Sequence, residues 1–210
     1  HDRLKGKPYL QLEFDEHSAD AGVITRLEAF LDSLKHAREK LREPSRLDFN
    51  VNLIERTKLQ RTIYIPFMTY HAHALAGAFE ACGVEAVVMP ESDERTLHWG
   101  RKLTTGRECY PCILTTGDMV RQVMDMPFDR NRSAFFMPGG TGPCRFGQYN
   151  KFHRIVLDEL GYEDVPILSP NQDEDMYSQL EIVGSDYARL AWQGIVAIDL
   201  LEKMLYETRP

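Results

Sequence analysis

This chain has few of the features that mark secreted, membrane-spanning and nucleic-acid-binding proteins. Four cysteines among 210 residues are too few for a disulfide scaffold. No apolar run approaches the roughly 20 residues that span a bilayer, and the charged start, HDRLK, does not resemble a signal peptide. The net charge of −7 argues against the basic face that nucleic-acid binding needs. We therefore expect a cytoplasmic protein with no membrane and no nucleic-acid partner.

Short apolar strands alternate with helical patterns over most of the chain. Strands are predicted at 62–66, 85–89, 133–137 and 165–168, and helices at about 71–82, 94–104, 112–125 and 145–160. Short, uniformly apolar strands joined by helices are typical of a parallel sheet covered on both faces. The sequence therefore predicts an α/β fold with a Rossmann- or flavodoxin-like open parallel sheet.

The remaining segments suggest how the chain is divided. Residues 8–15 alternate like a strand, and about 22–42 form an amphipathic helix with Asp20 as its predicted N-cap. Ser185 is the predicted cap of the last helix. The predicted parts are a strand–helix appendage that ends a preceding α/β unit (1–42), a linker (43–61), the cysteine-bearing α/β domain (62–185) and a C-terminal helix (186–210). Because the chain has no initiator Met, we expect a piece of a longer polypeptide.

Three of the four cysteines fall in two loops that an open sheet would bring to one edge. Cys109 and Cys112 form a C-x-x-C pair in GRECYPC, and Cys144 lies in GGTGPC directly after the predicted strand 133–137. Ligands of open α/β sheets collect at the carboxyl ends of the strands. We therefore expect one metal or redox site built from these three cysteines.

The loop around Cys144 has a composition that favours a thiolate. Its three glycines are expected to adopt positive φ or to allow close backbone approach, and Pro143 suits the start of a helix. Free N–H groups, the positive end of that helix and Arg145 would stabilise the thiolate. A phosphate cradle is a weaker interpretation, because the loop lacks the G-K-[ST] ending of a P-loop and the spacing of G-x-G-x-x-G.

The spacing of the cysteines leaves several kinds of site open. A lone C-x-x-C pair suits a shared metal and a reversible disulfide equally. The third cysteine favours a metal, and three thiolates favour an iron–sulfur cluster over structural zinc, which usually takes four ligands. The alternatives are a thiol–disulfide redox protein that uses Cys109 and Cys112, and a structural or interaction domain without catalysis.

The other candidate side chains have simpler explanations. Cys82 is expected to be a small core residue before a C-cap glycine. His71 and His73 follow the first strand and are expected at the surface or in a cap, with a role as ligands or proton donors as the alternative. A loop or interdomain contact is expected for His17, solvated helical positions for His36, His98 and His153, and a solvated loop for the acidic segment 172–175.

Three longer runs resemble one known family. They are DEHSADAGVITRLEAFLDSL (15–34), GRECYPCILTTGDM (106–119) and FFMPGGTGPCRFGQY (135–149). They are similar to the large activase-type proteins related to 2-hydroxyacyl-CoA dehydratases and benzoyl-CoA reductases, over about residues 4–180. The resemblance implies a dehydratase-like domain that holds an oxygen-sensitive 4Fe-4S iron–sulfur cluster through the thiolates of Cys109, Cys112 and Cys144. In that family, ATP hydrolysis drives a low-potential electron into the cluster, which reduces a CoA thioester or another difficult acceptor.

The resemblance also implies partners for this chain. No phosphate loop of the actin/hexokinase type is present in the sequence, so the ATP-hydrolysing activator domain is expected to be absent from it. We expect an electron-transfer domain of an acyl-CoA dehydratase/reductase-type system that is inactive by itself. Its expected partners are an ATP-dependent activator domain or subunit, other dehydratase-like domains of the same polypeptide, and a second copy in a homodimer.

Overall fold

The computed structural model of the chain describes Leu10 and residues 20–39, 60–171 and 176–209. Two compact units are present, His1–Asp48 and Phe49–Pro210. The first contains helix α1 (Asp20–Glu39), which confirms a helix here but already includes Asp20, the predicted N-cap. The predicted strand at 8–15 and nearly all of the predicted linker lie outside the described residues.

The second unit is built on one parallel sheet of four strands. The strands are β1 (Thr62–Ile65), β2 (Ala86–Val88), β3 (Ser133–Phe136) and β4 (Ile167–Leu168). Their order is β2-β1-β3-β4, and Ile63 of β1 is paired with Ala86 on one side and Ala134 on the other. The predicted α/β fold with an open parallel sheet is confirmed. The strand order reverses between β1 and β3, where such sheets open a crevice at their carboxyl edge.

Helices alternate with the strands, as predicted. They are α2 (His71–Ala81) between β1 and β2, α3 (Glu94–Leu103) and α4 (Tyr110–Asp125) between β2 and β3, α5 (Tyr149–Glu159) between β3 and β4, and α6 (Met176–Leu180) and α7 (Tyr187–Thr208) after β4. The short α6 was not predicted, because five residues cover too little of a helix to show its period. Ser185 does not cap α7, since the N-cap position belongs to Asp186 and no side chain caps the helix.

Strand side chains alternate between two hydrophobic clusters, one on each face of the sheet. Ile63, Ile65 and Phe136 pack with side chains of α2 and α7. Tyr64 and Phe135, the intervening residues, pack with side chains of α4 and α5 on the other face. This follows from the two-residue period of a strand. The unit is therefore a three-layer sandwich with helices on both faces of the sheet.

Helix α7 has an apolar surface that this unit does not cover. Leu200, Leu201, Met204 and Tyr206 in its second half are all exposed. Even so, no helix in the described ranges combines the length and the apolar composition needed to cross a membrane.

Candidate cysteine site

Cys109 and Cys112 lie at the start of α4. Cys109 is the N-cap, with extended backbone, and its carbonyl oxygen accepts a hydrogen bond from the backbone N–H of Cys112 at 2.9 Å. Pro111 stands in the first turn, where a helix has no partner for a backbone N–H. The C-x-x-C pair thus occupies a single helical turn, as its spacing predicts.

Cys144 comes from the loop after β3, which reaches the start of α4. It is the N-cap of a 3-10 helix, Arg145–Gln148, that continues directly into α5. The Nη1 of Arg145 donates a hydrogen bond to the carbonyl oxygen of Arg107 at 3.0 Å. This bond joins the two cysteine-bearing loops. The helix predicted over about 145–160 is confirmed, except that its first turn is the tighter 3-10 form.

The glycines of the loop after β3 differ in how closely they are packed. None of Gly139, Gly140 and Gly142 has a positive φ, so the prediction of left-handed backbone is wrong. A Cβ on Gly139 would lie 2.9 Å from Oδ1 of Asn171, and one on Gly147 would overlap the carbonyl group of Gly140. Close backbone approach therefore explains glycine at 147, whereas Gly139 meets side-chain atoms and Gly142 has nothing within 4 Å of an added Cβ.

The hydroxyl group of Tyr149 is hydrogen-bonded to Cys109. Its oxygen is 2.6 Å from Sγ of Cys109, and the side chain is almost fully buried. Burial raises the pKa of Tyr149, and the hydrogen bond to Cys109 and the thiolate charges of Cys109, Cys112 and Cys144 raise it further. The structure thus places the Tyr149 hydroxyl beside Cys109, and the bond from Arg145 to Arg107 brings the loop of Cys144 to the loop that precedes α4.

The three thiols differ in exposure. Cys112 is buried, Cys109 is half-buried and Cys144 is exposed. Burial raises the pKa of Cys112 to about 11, although the Thr116 hydroxyl and the charge of Arg145 act in the opposite direction. At neutral pH Cys112 is thus a protonated thiol, and binding of a metal would displace its proton.

The surroundings of Cys112 fit a group with sulfur ligands. Oγ1 of Thr116 is fully buried and has no hydrogen-bond partner among the described residues. It lies close enough to Cys112 to lower the pKa of that thiol. The sulfur of Cys112 is the acceptor within reach of this hydroxyl, and it accepts a hydrogen bond more strongly as a thiolate. Three cysteine donors and a buried hydroxyl therefore suit an iron–sulfur cluster.

The separation of the sulfurs disfavours a single zinc ion. Sulfurs bound to one tetrahedral zinc lie about 3.8 Å apart, since the Zn–S bonds are near 2.3 Å. Across the described residues, the three cysteines do not form a set whose ligand atoms all lie within 4.8 Å of one another. As they stand, the three thiols are therefore not arranged to bind one zinc ion together.

His153 lies beside the C-x-x-C turn, and its predicted solvated position is wrong. Its side chain is 2% exposed, and Nε2 lies 3.2 Å from Oγ1 of Thr115, which donates to the carbonyl oxygen of Pro111. Burial lowers the pKa of His153 to about 3, so the ring is neutral. His153 lies four residues after Tyr149 and three before Val156, so it shares the buried face of α5 with them. This helical spacing could have predicted its burial.

The other predicted candidates have separate surroundings. Cys82 is half-buried against the cluster that contains α2 and α7, and burial raises its pKa. His73 and His98 are exposed, as predicted for both. His71 pairs with Asp199 of α7. The predictions for His17, for the side chain of His36 and for 172–175 lie outside the described residues.

Comparisons with known proteins do not test the family resemblance. No protein-family model, no curated protein and no solved structure matches this chain. The resemblance to the activase-type proteins therefore stays a prediction that rests on three sequence motifs.

Proposed function

We propose that Cys109, Cys112 and Cys144 bind an iron–sulfur cluster and that this α/β domain transfers electrons through it. The main support is the Tyr149 hydroxyl, which is hydrogen-bonded to Cys109. Burial raises the pKa of this hydroxyl, and the charges of the three thiolates raise it further. The hydrogen bond between Arg145 and Arg107 provides a second, independent reason to place the two loops together.

Each residue has a separate part in this proposal. Cys112 would hold the cluster from the buried side and Cys144 from the exposed side. Tyr149 keeps its proton, because its pKa is raised, and can therefore donate to the Cys109 thiolate. The bound cluster would supply one-electron transfer, and hydrogen bonds to its sulfurs are among the factors that set its reduction potential.

The sequence motifs support a more specific form of the proposal. On this basis the chain is the cluster-holding part of an ATP-dependent acyl-CoA dehydratase/reductase-type system in an anaerobic cytoplasm. Its electron donor would be an activator that hydrolyses ATP, on another domain or subunit. This form depends on the family resemblance alone, whereas the cluster itself also has the support of the geometry.

A thiol–disulfide function is the second candidate, and the start of α4 favours it. Cys109 at an N-cap and Cys112 in the first turn are placed as in dithiol redox motifs, where the helix dipole stabilises a thiolate. In this function the two thiols would lose two electrons and two protons to an oxidant such as oxidised glutathione, and Cys144 would take no part.

Anaerobic reconstitution with ferrous iron and sulfide tests the first proposal. We expect a brown protein with about four iron and four sulfide per chain, and loss of most of this content in Cys144→Ser and Cys112→Ser. Cys82→Ser is the matched control, since Cys82 belongs to the opposite face of the sheet and should leave iron content unchanged. Normal cluster uptake by the variant that lacks all three site cysteines would overturn the proposal.

The same variants separate the two candidate functions. A Cys109–Cys112 disulfide, measured by mass spectrometry after equilibration with glutathione redox buffers, should form equally in the wild type and in Cys144→Ser if the dithiol function holds. If the disulfide never forms under oxidising buffers while cluster uptake depends on Cys144, the second candidate is rejected.

A further inference from the structure

Three metal-ligating side chains meet where α2 packs against α7, on the face of the sheet opposite the cysteines. A ring nitrogen of His71 and one carboxylate oxygen each of Asp199 and Glu202 all lie within 4.8 Å of one another. His71 is the first residue of α2, and the two acidic residues stand three apart on α7, which places them on neighbouring positions of one face. One ion could therefore contact all three.

The two helices that provide these ligands are held close together. A Cβ on Gly194 of α7 would lie 2.8 Å from Cβ of Ala74 in α2, so the helix backbones approach closely there. The rings of Phe79 and Tyr187 pack with centroids 4.5 Å apart in the same layer. Such packing fixes the helices relative to each other and so presents the three ligands without a large rearrangement.

Thr69 orients the ring of His71. Its Oγ1 accepts the backbone N–H of His71 at 3.3 Å and lies 2.9 Å from Nδ1 of the ring. When Nδ1–H donates to that oxygen, the lone pair of Nε2 faces Oδ1 of Asp199 at 2.7 Å. In the other tautomer Nε2–H donates a hydrogen bond to Oδ1 of Asp199, and a metal ion bound to Nε2 would replace that proton. A histidine that binds a metal through one ring nitrogen generally donates a hydrogen bond from the other, and Thr69 could accept that bond here.

The hydrogen bond between His71 and Asp199 does not account for the position of Glu202 beside them. Among the described residues it forms no ion pair with a lysine or arginine, and its neighbour Lys203 lies 3.9 Å from Glu207 instead. Two carboxylates this close repel each other, and a divalent cation would remove the repulsion. The side chain of Asp199 is 60% exposed and that of His71 27%, so an ion could enter from solvent.

We propose that His71, Asp199 and Glu202 form a site for a divalent transition metal of the Zn²⁺ class. One imidazole nitrogen with two carboxylate oxygens suits Zn²⁺ or Mn²⁺, whereas Ca²⁺ and Mg²⁺ prefer oxygen ligands alone. Three protein ligands on an open surface leave a fourth position for water, as in zinc sites that act on a substrate. This site does not depend on the iron–sulfur proposal, since the two share no residue.

Calorimetric titration with Zn²⁺ tests the site in a chain that carries Cys109→Ser, Cys112→Ser and Cys144→Ser, so that thiolates do not compete. We expect about one Zn²⁺ per chain. Loss of a residue that only hydrogen-bonds to a metal ligand typically lowers metal affinity roughly 10- to 100-fold. Adding His71→Gln or Glu202→Gln removes a ligand itself and should lower the Zn²⁺ affinity by more than this. Thr69→Val should lower it by about tenfold. The matched controls His73→Gln and Glu207→Gln should leave the affinity unchanged.

Two results would overturn the site: no Zn²⁺ binding at millimolar metal, or binding that His71→Gln and Glu202→Gln leave unchanged. Circular dichroism of each variant checks that it is folded, as expected for side chains at the surface. Mn²⁺ provides the same test in the wild-type chain, because it prefers oxygen and nitrogen to thiolate ligands. Its paramagnetic resonance signal should lose intensity on binding to the wild type and not to His71→Gln.

Discussion

Tyr149 is the residue whose hydrogen bond acts most directly on a site cysteine. Tyr149→Phe removes the hydroxyl but keeps the ring that packs 5.2 Å from Phe146. We expect the Cys109 thiolate to lose a donor worth about 1.4 kcal/mol, and alkylation of Cys109 by iodoacetamide at neutral pH to slow about tenfold. Mass spectrometry of the labelled peptides measures this rate for each cysteine separately.

Tyr162→Phe is the matched control for that change. The Tyr162 hydroxyl donates to the carbonyl oxygen of Val123 near the other end of α4, away from the cysteines. Its loss should leave the alkylation rate of Cys109 as in the wild type. Equal rates in Tyr149→Phe and Tyr162→Phe would contradict a hydrogen bond from Tyr149 to the thiolate.

Two buried titratable groups contribute to stability with opposite pH dependence. Burial lowers the pKa of His153 from 6.5 to about 3, so between these values only the unfolded chain binds the proton, and stability falls as the pH falls. Burial raises the pKa of Asp118 from 3.8 to about 6. Between those values the folded chain binds the extra proton, so this contribution grows as the pH falls.

Urea unfolding between pH 7 and pH 4.5 tests these signs. In the wild type, His153 lowers the free energy of unfolding by up to about 1.4 kcal/mol for each pH unit below pH 6.5. His153→Gln should remove this contribution, so the dependence of the free energy of unfolding on pH should be less steep in acid. Asp118→Asn should steepen it, because the opposing contribution is gone. Parallel curves for His153→Gln and the wild type would show that the histidine is not buried in its neutral form.

Among the elements, the contact of α3 with α4 positions the start of the cysteine helix. A Cβ on Gly117 of α4 would overlap the backbone carbonyl of Thr96 in α3. The same junction holds Asp118, which accepts hydrogen bonds from Oγ1 of Thr96 at 2.9 Å and from Oγ of Ser92 at 2.9 Å. The side-chain oxygen of Asp93 caps α3 by accepting the backbone N–H groups of residues 95 and 96.

Gly117→Ala should therefore destabilise the fold, by about 1–3 kcal/mol, because the added methyl group has no room. Gly77→Ala is the matched control, since Gly77 stands inside α2 with nothing within 4 Å of an added Cβ. It should stabilise by about 0.5–1 kcal/mol, the usual advantage of alanine over glycine inside a helix. Urea midpoints measure both, and equal midpoints would contradict the close contact of α3 with α4.

Elements with a clear local signal were predicted closely. The helix ends at Gly83 and Gly161 are confirmed, and both glycines adopt the left-handed backbone, with φ of 79° and 81°. The loop after β3 was harder, because Gly139 lies against the side chain of Asn171 and Gly140 against Gly147, contacts that form only when the chain folds. Such a requirement leaves no periodic pattern to recognise.

At the scale of the whole molecule, the strand order decides which loops meet. Because α4 leads into the amino end of β3, the helix runs antiparallel to the strands and starts at the carboxyl edge of the sheet, where the loop with Cys144 leaves β3. The apolar residues in the second half of α7 are exposed in this unit. An activator, further dehydratase-like domains and a second copy all stay predictions.

The amino-acid sequence by itself determined the order of strands and helices, the parallel sheet and the choice of Cys109, Cys112 and Cys144. Those depend on period, turn chemistry and spacing, which are local. Only the tertiary structure decided that Tyr149 reaches Cys109, that His153 is buried, and that His71 meets Asp199 and Glu202. The burial of His153 has a local signal in its helical spacing, whereas the other two contacts join residues far apart in the chain, which become neighbours only through the packing of whole helices.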